Sequence, residues 1–365
     1  MTGLLVAYAL LLGVAASNAA WLAWERRRRL DAPAAWPRVS VLVPARNEEH
    51  ALPALLASLS AQDYPDVEVV VVDDRSDDGT ARVLAAAAVR DDRIRPVPGD
   101  GPPEGWLGKP AALHVAAGHA TGDVLLFLDA DARLTNPQAL RRLIGRFLQW
   151  ERGAPEAGAV LSGMPRYTGG GMALTSLVPF SIYALLPLPL VPNTPFPSLS
   201  ALNGPCWTVR ADAYRRERLH ERVKAEVLED VHVGRLVKRR GLRLAFVDLS
   251  REVEVRLYGS LAEAWGGFRK NAYLLLGGRP VPFALLHAGW WALFVLAPWA
   301  LLAAGHPLPL LAAWLLKAGT DRMGRLPWAV SALAPASLVV GGAIQAASAW
   351  AHARGTVTWK GRNVS

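Results

Sequence analysis

The chain has 365 residues, of which 52% are hydrophobic and only 19% are charged, and its formal net charge is +9. Soluble domains carry roughly 25% charged residues, so the chain as a whole is short of charge. The shortage lies at the two ends, because residues 1–24 carry no charge and residues 281–350 carry four charged side chains. This distribution excludes a simple cytosolic enzyme, a disordered chain and a multi-span transporter.

The positive charge collects beside the apolar ends. Four consecutive arginines at residues 26–29 follow the first apolar stretch, whereas residues 31–280 hold 30 basic and 29 acidic residues. A nucleic-acid-binding domain concentrates positive charge on its own surface, so nucleic acid is excluded as a partner. The arginines instead fit the positive-inside rule for a membrane anchor. A single cysteine, Cys206, excludes an intramolecular disulfide and agrees with a reducing compartment.

The apolar ends predict a multi-pass protein of the cell (inner) membrane with a cytoplasmic central domain. Residues 3–24 are uncharged over enough length to cross a bilayer core of ~30 Å. Because the basic residues follow this stretch, we expect a retained anchor rather than a cleaved signal. Two further stretches, residues 281–304 and 326–350, are long enough to span. The number of C-terminal crossings, the side of the C-terminus and the oligomeric state stay open.

In chain order, segments that predict strands, the first two of them apolar runs rich in valine, alternate with amphipathic stretches. The runs at residues 38–44, 66–74, 94–97 and 124–128 predict strands, and the stretches at 47–60, 77–90 and 109–120 predict helices. This alternation indicates an α/β domain with right-handed crossovers. Prolines interrupt the apolar residues 172–197, which favours an interfacial segment over a spanning helix. Residues 225–240 and 261–276 predict further helices.

The expected organisation therefore has three parts. Residues 1–30 form the anchor with its basic flank, residues 31–276 form the central domain, and residues 277–365 form a membrane region with a basic tail. The interfacial segment at residues 172–197 lies within the central domain on this prediction.

Acidic pairs follow two of the predicted strands. Asp73 and Asp74 end the second strand, and Asp129 and Asp131 follow the fourth. In open α/β sheets, ligands bind beyond the carboxyl ends of the strands. An Asp-x-Asp turn suits a hard divalent cation such as Mg²⁺ or Mn²⁺ that also takes substrate phosphates. The alternatives are solvated loop carboxylates and, for the first pair, a cap on the next helix.

Six motifs in order resemble the family 2 glycosyltransferases with a GT-A fold, over residues 38–275. They are VSVLVPARNEE at 39–49, VVVVDDRSDDGT at 69–80, GWLGKPAAL at 105–113, VLLFLDAD at 124–131, LNGPCWTVR at 202–210 and ED at 229–230. The GWLGK variant and the closing WKGR at 359–362 resemble the carotenoid- and hopanoid-associated branch of that family.

The resemblance implies a donor site built from the first motifs. Ala45 and Glu48 would belong to the first nucleotide-contacting loop. Asp73 would hold the uracil, and Asp74 the nearby ribose or base. Lys109 would meet the nucleotide or the diphosphate.

The later motifs imply the reaction centre. Asp129 and Asp131 would hold the divalent cation and the sugar diphosphate. Asp230 would be the general base of an inverting transfer, with Glu229 as support or alternate. The alternative for Glu229 and Asp230 is ordinary negative charge in the first turn of a helix.

The implied function is transfer of one sugar from a nucleotide sugar to a lipid-soluble acceptor. The favoured donor is UDP-glucose, and the favoured acceptor is of carotenoid type. Processive relatives carry QxxRW after the ED pair, whereas residues 265–271 read WGGFRKN. The alternatives are transfer to a polyprenyl phosphate, a hopanoid or another membrane lipid, and a non-catalytic membrane scaffold. Roles for Arg269, Lys270, His232 and the tail residues Trp359 and Arg362 stay open.

Overall fold

The computed structural model describes residues 1–30, 33–154, 158–359 and 362–363. Two compact units divide the chain. The sheet unit comprises residues 24–166 and 190–255, and the helical unit comprises residues 1–23, 167–189 and 256–365.

Across the described residues, the strands are β1 (Val39–Ala45), β2 (Val67–Asp73), β3 (Ile94–Pro98), β4 (Val124–Leu128), β5 (Ala132–Leu134), β6 (Ala159–Met164), β7 (Arg166–Gly169), β8 (Cys206–Arg210), β9 (Arg243–Asp248), β10 (Val253–Tyr258), β11 (Thr358–Trp359) and β12 (Arg362–Asn363). The helices of the same residues are α1 (Thr2–Arg27), α2 (Leu52–Ser60), α3 (Thr80–Arg90), α4 (Gly108–His119), α5 (Ala139–Glu151), α6 (Met172–Thr175), α7 (Leu177–Leu185), α8 (Ala211–Glu217), α9 (Leu219–Arg222), α10 (Glu229–Arg239), α11 (Leu261–Leu275), α12 (Pro280–Trp291), α13 (Ala297–Ala303), α14 (Leu308–Met323), α15 (Trp328–Ala332) and α16 (Ala334–Ala353).

A seven-stranded mixed sheet forms the centre of the sheet unit, with strand order β3-β2-β1-β4-β8-β6-β9. Strands β1 to β4 are parallel, β8 runs antiparallel to both β4 and β6, and β6 is parallel to β9. The side chains of β4 are all buried, as expected for a strand covered on both faces. The predicted parallel α/β core is therefore present, and β8 adds an antiparallel strand to it.

The predicted leucine stripe of α2 is confirmed, because Leu52, Leu55, Leu56 and Leu59 are its buried residues. The helix itself is shorter than predicted and begins at Leu52 rather than at Asn47. Asn47 adopts a left-handed backbone conformation with φ 53°. Its N–H donates to Ser76 Oγ at 2.9 Å, so residues before the helix are held as a loop.

The helical unit packs its apolar helices around clusters of buried side chains. One of them comprises Tyr8, Ala15, Phe180, Ala184, Phe294, Ala313, Leu316 and Leu338, and another comprises Leu174, Ala264 and Ile344. Asn18 on α1 is fully buried. Its side-chain amide donates to the carbonyls of Tyr183 and Leu186 at 2.9 and 2.8 Å, and its oxygen accepts from the Leu188 N–H at 2.8 Å. Residues 172–185 form two short helices, α6 and α7, which meet at Ser176, and Pro187 follows the end of α7.

Two of the described helical stretches, Thr2–Arg27 and Pro280–Ala303, are long and apolar enough to cross a membrane. The second stretch contains one π-helical segment, Ala292–Leu296, between α12 and α13. The third stretch that the sequence favoured as a span, residues 326–350, is divided at Leu333 between α15 and α16. Pro335 lies in the first turn of α16, where a missing N–H costs no helical hydrogen bond.

Candidate active site

The carboxyl ends of β1 and β2 place the first group of predicted site residues together. The two parallel strands are in register with Ala45 opposite Asp73. The Asp74 N–H donates to the Ala45 carbonyl at 2.8 Å, and Arg46 donates to the Asp74 carbonyl at 2.7 Å. Asp74 is buried. Ala45, Asp73 and Asp74 therefore lie side by side at the edge where α/β sheets bind ligands.

Glu48 lies in a loop that the second motif holds in place. The Glu48 N–H donates to Thr80 Oγ1 at 2.8 Å, and the Gly79 N–H donates to Glu49 Oε2 at 2.8 Å. Asp73 fixes the start of the opposite loop by accepting the Ser76 N–H at 3.1 Å. These bonds bring the two predicted nucleotide-contacting loops into direct contact.

Lys109 contacts two more of the predicted residues, Asp129 and Glu229. Its ammonium lies 2.8 Å from Asp129 Oδ1 and 2.9 Å from Glu229 Oε1. Asp129 follows β4, Glu229 begins α10, and Lys109 lies in the first turn of α4. Three segments that are far apart in the sequence thus meet at one cation.

Asp230 is held beside this cluster by main-chain donors. Its Oδ2 accepts the Gly204 N–H at 2.8 Å, and its Oδ1 accepts the Val231 N–H at 2.8 Å. A Cβ on Gly204 would lie 3.1 Å from Asp230 Oδ2 and 3.4 Å from Lys109 Nζ. Gly204 therefore lies between the lysine and the aspartate, where a side chain would crowd both.

The antiparallel strand β8 positions Gly204. Cys206 pairs with Leu128, which places residues 204–205 next to the turn that follows β4. The Asp129 N–H donates to the Pro205 carbonyl at 3.2 Å. Asn203 donates from its amide to the Gly163 carbonyl at 3.1 Å and fixes the loop from the other side. The motif at residues 202–210 therefore supports the acidic turn.

Asp129 and Asp131 share a tight turn, in which the Ala132 N–H donates to the Asp129 carbonyl at 3.1 Å. No group of three or more His, Cys, Asp or Glu residues that could hold a metal is found in the described parts of the chain. Mg²⁺ is commonly bound through one or two carboxylates plus substrate phosphates. Two aspartates in one turn fit that donor set, and Lys109 already neutralises one of them.

Lys109 and Asp230 differ in how their charge depends on pH: Lys109 is a permanent cation, and Asp230 is a titratable acid. Burial opposes the charge of Lys109, but Asp129, Glu229 and Asp230 raise the pKa of its ammonium well above the ordinary value. Burial and the charge of Glu229 raise the pKa of Asp230 to about 6, against the opposing effects of Lys109 and the two N–H donors. Near neutral pH, Lys109 is charged and Asp230 is an ionised carboxylate able to accept a proton.

Some residues to which the sequence assigned no role make contacts of other kinds. His232 Nε2 lies 3.4 Å from Glu226 Oε2, and burial lowers the pKa of this imidazole. The Lys270 carbonyl pairs with His352 Nε2 at 2.9 Å within the helical unit. Trp359 pairs with Arg362 across the β11–β12 hairpin, and the intervening Lys360 and Gly361 lie outside the described residues.

Two functional candidates were missed by reasoning from the sequence. Gly204 appeared in a motif without a role, and only its N–H contact with Asp230 reveals one. Lys238 is buried on α10 and bonded to the carbonyls of Val191 and Thr194. Its signal in the sequence was the spacing of eight residues from Asp230, which places both residues on one face of a helix.

The mixed sheet and the acidic groups at its strand ends define a GT-A-type fold. A solved mannosyltransferase from Pyrobaculum calidifontis, in complex with GDP-Man and Mn²⁺, superposes with a TM-score of 0.55 at 21% identity, over 95% of this chain and 99% of that one. Residues 40–214 match the Glycosyl transferase family 2 model. This part of the chain is therefore similar to the family 2 glycosyltransferases over the region that holds the first five motifs, and the ED pair at 229–230 lies beyond the matched residues.

Curated relatives match about a third of the chain. The 4,4'-diaponeurosporenoate glycosyltransferase of Staphylococcus haemolyticus is 41% identical over 106 residues, which are 29% of this chain and 27% of that protein. The protein of the same name from Staphylococcus aureus is 35% identical over 117 residues, which are 32% and 30% of the two chains. The chain thus spans less than a third of the length of these relatives.

Proposed function

We propose that the protein is a membrane-bound inverting glycosyltransferase that moves one sugar from a UDP-sugar to a lipid-soluble acceptor. The sugar that we favour is glucose. The observation that carries this proposal is the cluster in which Lys109 contacts Asp129 and Glu229 beside Asp230. The cluster combines a fixed positive charge, suited to a diphosphate, with a carboxylate suited to accept a proton. Asp129 follows β4, so the cluster lies at a strand end, where open α/β sheets bind ligands.

The donor would lie across the two nucleotide-contacting loops. Asp73 and Asp74 offer carboxylate acceptors for base N–H and ribose hydroxyl groups, and Ala45 and Glu48 border the same space. Asp129 and Asp131 would hold Mg²⁺ or Mn²⁺, which when bound supplies positive charge to the diphosphate leaving group. Lys109 remains charged throughout and stabilises the same developing negative charge.

Transfer to a hydroxyl would use Asp230 as the base. The acceptor oxygen attacks the anomeric carbon as its proton passes to the Asp230 carboxylate. The bond from that carbon to the diphosphate oxygen breaks, and UDP leaves with the bonding electrons. Attack opposite the leaving group inverts the configuration at the anomeric carbon. A carboxylic acid acceptor is already ionised near neutral pH and needs no base.

The acceptor that we favour is a carotenoid-type compound with a hydroxyl or carboxyl group. The two curated relatives carry the name of a carotenoid acid, and two helices of this chain are apolar enough to hold the enzyme at a bilayer. An enzyme at the membrane surface meets an apolar acceptor at high effective concentration. A polyprenyl phosphate, a hopanoid or another membrane lipid is the alternative acceptor, and a non-catalytic membrane scaffold is the alternative class.

The test uses purified full-length protein in detergent micelles. Nucleotide release is measured with UDP-, GDP- and TDP-sugars, each with Mn²⁺ or Mg²⁺, and product is analysed with 4,4'-diaponeurosporenoate and with undecaprenyl phosphate. We expect release of UDP from UDP-glucose and glucose transfer to the polyene acid. Failure to release nucleotide from every donor would overturn the enzymatic proposal and favour the scaffold.

Asp230→Asn separates the role of the base from donor binding. With a hydroxyl acceptor, we expect an unchanged donor KM and a loss of kcat of about 10²-fold or more. With a carboxylate acceptor, the same variant should lose much less. Near wild-type transfer to every hydroxyl acceptor would remove Asp230 from the base role.

A further inference from the structure

The chain between residues 190 and 204, here called the strap, follows helix α10 along its length. At one end, the Gly204 N–H donates to Asp230. In the middle, Gly234 faces the strap so closely that a Cβ on it would lie 3.0 Å from Leu202 Cβ and 3.5 Å from Ser200 Cβ. At the other end, Lys238 holds the carbonyls of Val191 and Thr194.

The three contacts lie on one face of the helix. Residues 230, 234 and 238 are four apart, so they form a single row along α10. The strap runs in the opposite direction, because its residues 204, 200–202 and 191–194 meet that row in turn. With a rise of ~1.5 Å per residue, the eight residues from Asp230 to Lys238 separate the two ends by about 12 Å.

Lys238 is an unusual residue to hold the strap against the helix. Its side chain is 4% exposed, and both bonds described for it go to main-chain carbonyls, one of them at 2.6 Å. Burial lowers the pKa of this ammonium. A buried lysine is costly unless it is well bonded, so its two bonds fix the strap in place.

The strap also exposes large apolar side chains near the end that is bonded to Lys238. Phe196 is 59% exposed and Leu190 is 44% exposed, while Val191 between them is fully buried. Apolar surface of this kind is favourable only when something apolar covers it. Leu190 adjoins Val191, whose carbonyl Lys238 binds in a contact here called the Lys238 clamp, and Phe196 follows on the same strap, whose far end bonds to Asp230 through the Gly204 N–H.

We propose that the strap is the acceptor-binding element of the site and that Lys238 is a positioning residue for the acceptor. The inference rests on the proposed function. A lipid-soluble acceptor joins a reactive hydroxyl or carboxyl to a long apolar body. With its reactive oxygen at Asp230, the body extends along the strap and covers Phe196 and Leu190. The clamp keeps these side chains at a fixed distance from Asp230.

The experiment compares two variants with matched controls in the full-length protein. Lys238→Met removes the clamp, and Arg239→Met removes a neighbouring exposed cation on the same helix. Phe196→Ala removes the exposed aromatic ring, and Val89→Ala trims an exposed apolar side chain on α3. Each protein is assayed with UDP-glucose and Mn²⁺, first without an acceptor and then with increasing 4,4'-diaponeurosporenoate.

We expect Lys238→Met and Phe196→Ala to raise the acceptor KM at least tenfold. The acceptor-independent release of UDP and the donor KM should stay within twofold of wild type. Acceptor KM values within twofold of the controls, for both variants, would overturn the proposal. Equal loss of acceptor-independent release in Lys238→Met would also overturn it, because Lys238 would then support the whole site rather than the acceptor. Absence of UDP release in the wild type would instead overturn the proposed function, and the strap's role with it.

Discussion

Glu68, at the start of β2, offers a sharp test of how charge is stabilised inside the sheet unit. Its side chain is 5% exposed. The carboxylate accepts from Ser40 Oγ at 2.6 Å, from the Thr121 N–H at 2.6 Å and hydroxyl at 2.8 Å, and from Arg95 at 3.0 Å. These donors come from three different segments, so the carboxylate joins its own strand β2 to β1, β3 and the loop before β4.

The magnitude follows from the pKa of this carboxyl. Burial raises the pKa of Glu68, but the bonds from Ser40, Thr121 and Arg95 outweigh it and leave a pKa of about 2 against an ordinary 4.5. One pKa unit corresponds to ~1.4 kcal/mol, so ionised Glu68 stabilises the fold by about 3 kcal/mol. The folded-state pKa is the lower one, so this stabilisation is present above about pH 5 and is lost as the pH falls toward about 2.

Glu68→Gln removes the charge and keeps the shape. In detergent at pH 7, we expect a melting temperature lower by roughly 6–12 °C, since 1 kcal/mol shifts a domain of this size by about 2–4 °C. The difference from wild type should shrink as the pH falls below about 4. Glu104→Gln, at an exposed position, is the control. A melting temperature equal to that of the control at pH 7, or a difference that persists at low pH, would refute this account of Glu68.

Two further predictions concern the active site. The raised pKa of Asp230 implies that kcat with a hydroxyl acceptor falls about tenfold per pH unit below about pH 6, because the protonated acid cannot act as base; a pH–rate profile that stays flat down to about pH 4.5 would contradict the assignment. Gly204→Ala should lower kcat tenfold or more with little change in melting temperature, since its methyl group would crowd Asp230 and Lys109; unchanged kinetics would show that the site tolerates a side chain there.

The sequence predicted the core of the fold because its signals are local. Valine runs identify β1 and β2, the apolar run VLLFL identifies β4, and four leucines identify the buried face of α2. The antiparallel placement of β8 between β4 and β6 was not predicted. Residues 206–210 carry no periodicity that states their partners, and strand order depends on packing across the whole sheet.

The features of the site likewise divide into those that the sequence predicted and those that it did not. The residues at the strand ends could be named from their motifs, because the chemistry of each motif resides in a few adjacent positions. The contacts between Lys109 and Glu229, and between Gly204 and Asp230, join residues 120 and 26 positions apart. No local pattern encodes such distances. Lys238 was overlooked because a lysine in an amphipathic helix ordinarily lies in solvent.

Through the bonds of Asn18, the first helix, α1, becomes a fixed part of the packed helical unit. By length and composition α1 is apolar enough to cross a membrane, as any apolar helix of equal length would be. Here the Asn18 side chain satisfies three main-chain groups of residues 183–188, and the Tyr8 hydroxyl donates to the Leu293 carbonyl. Each buried main-chain group left without its partner would cost ~1–3 kcal/mol. The helix therefore has one permitted rotation about its own axis, and a generic membrane tether could not replace it without loss of stability.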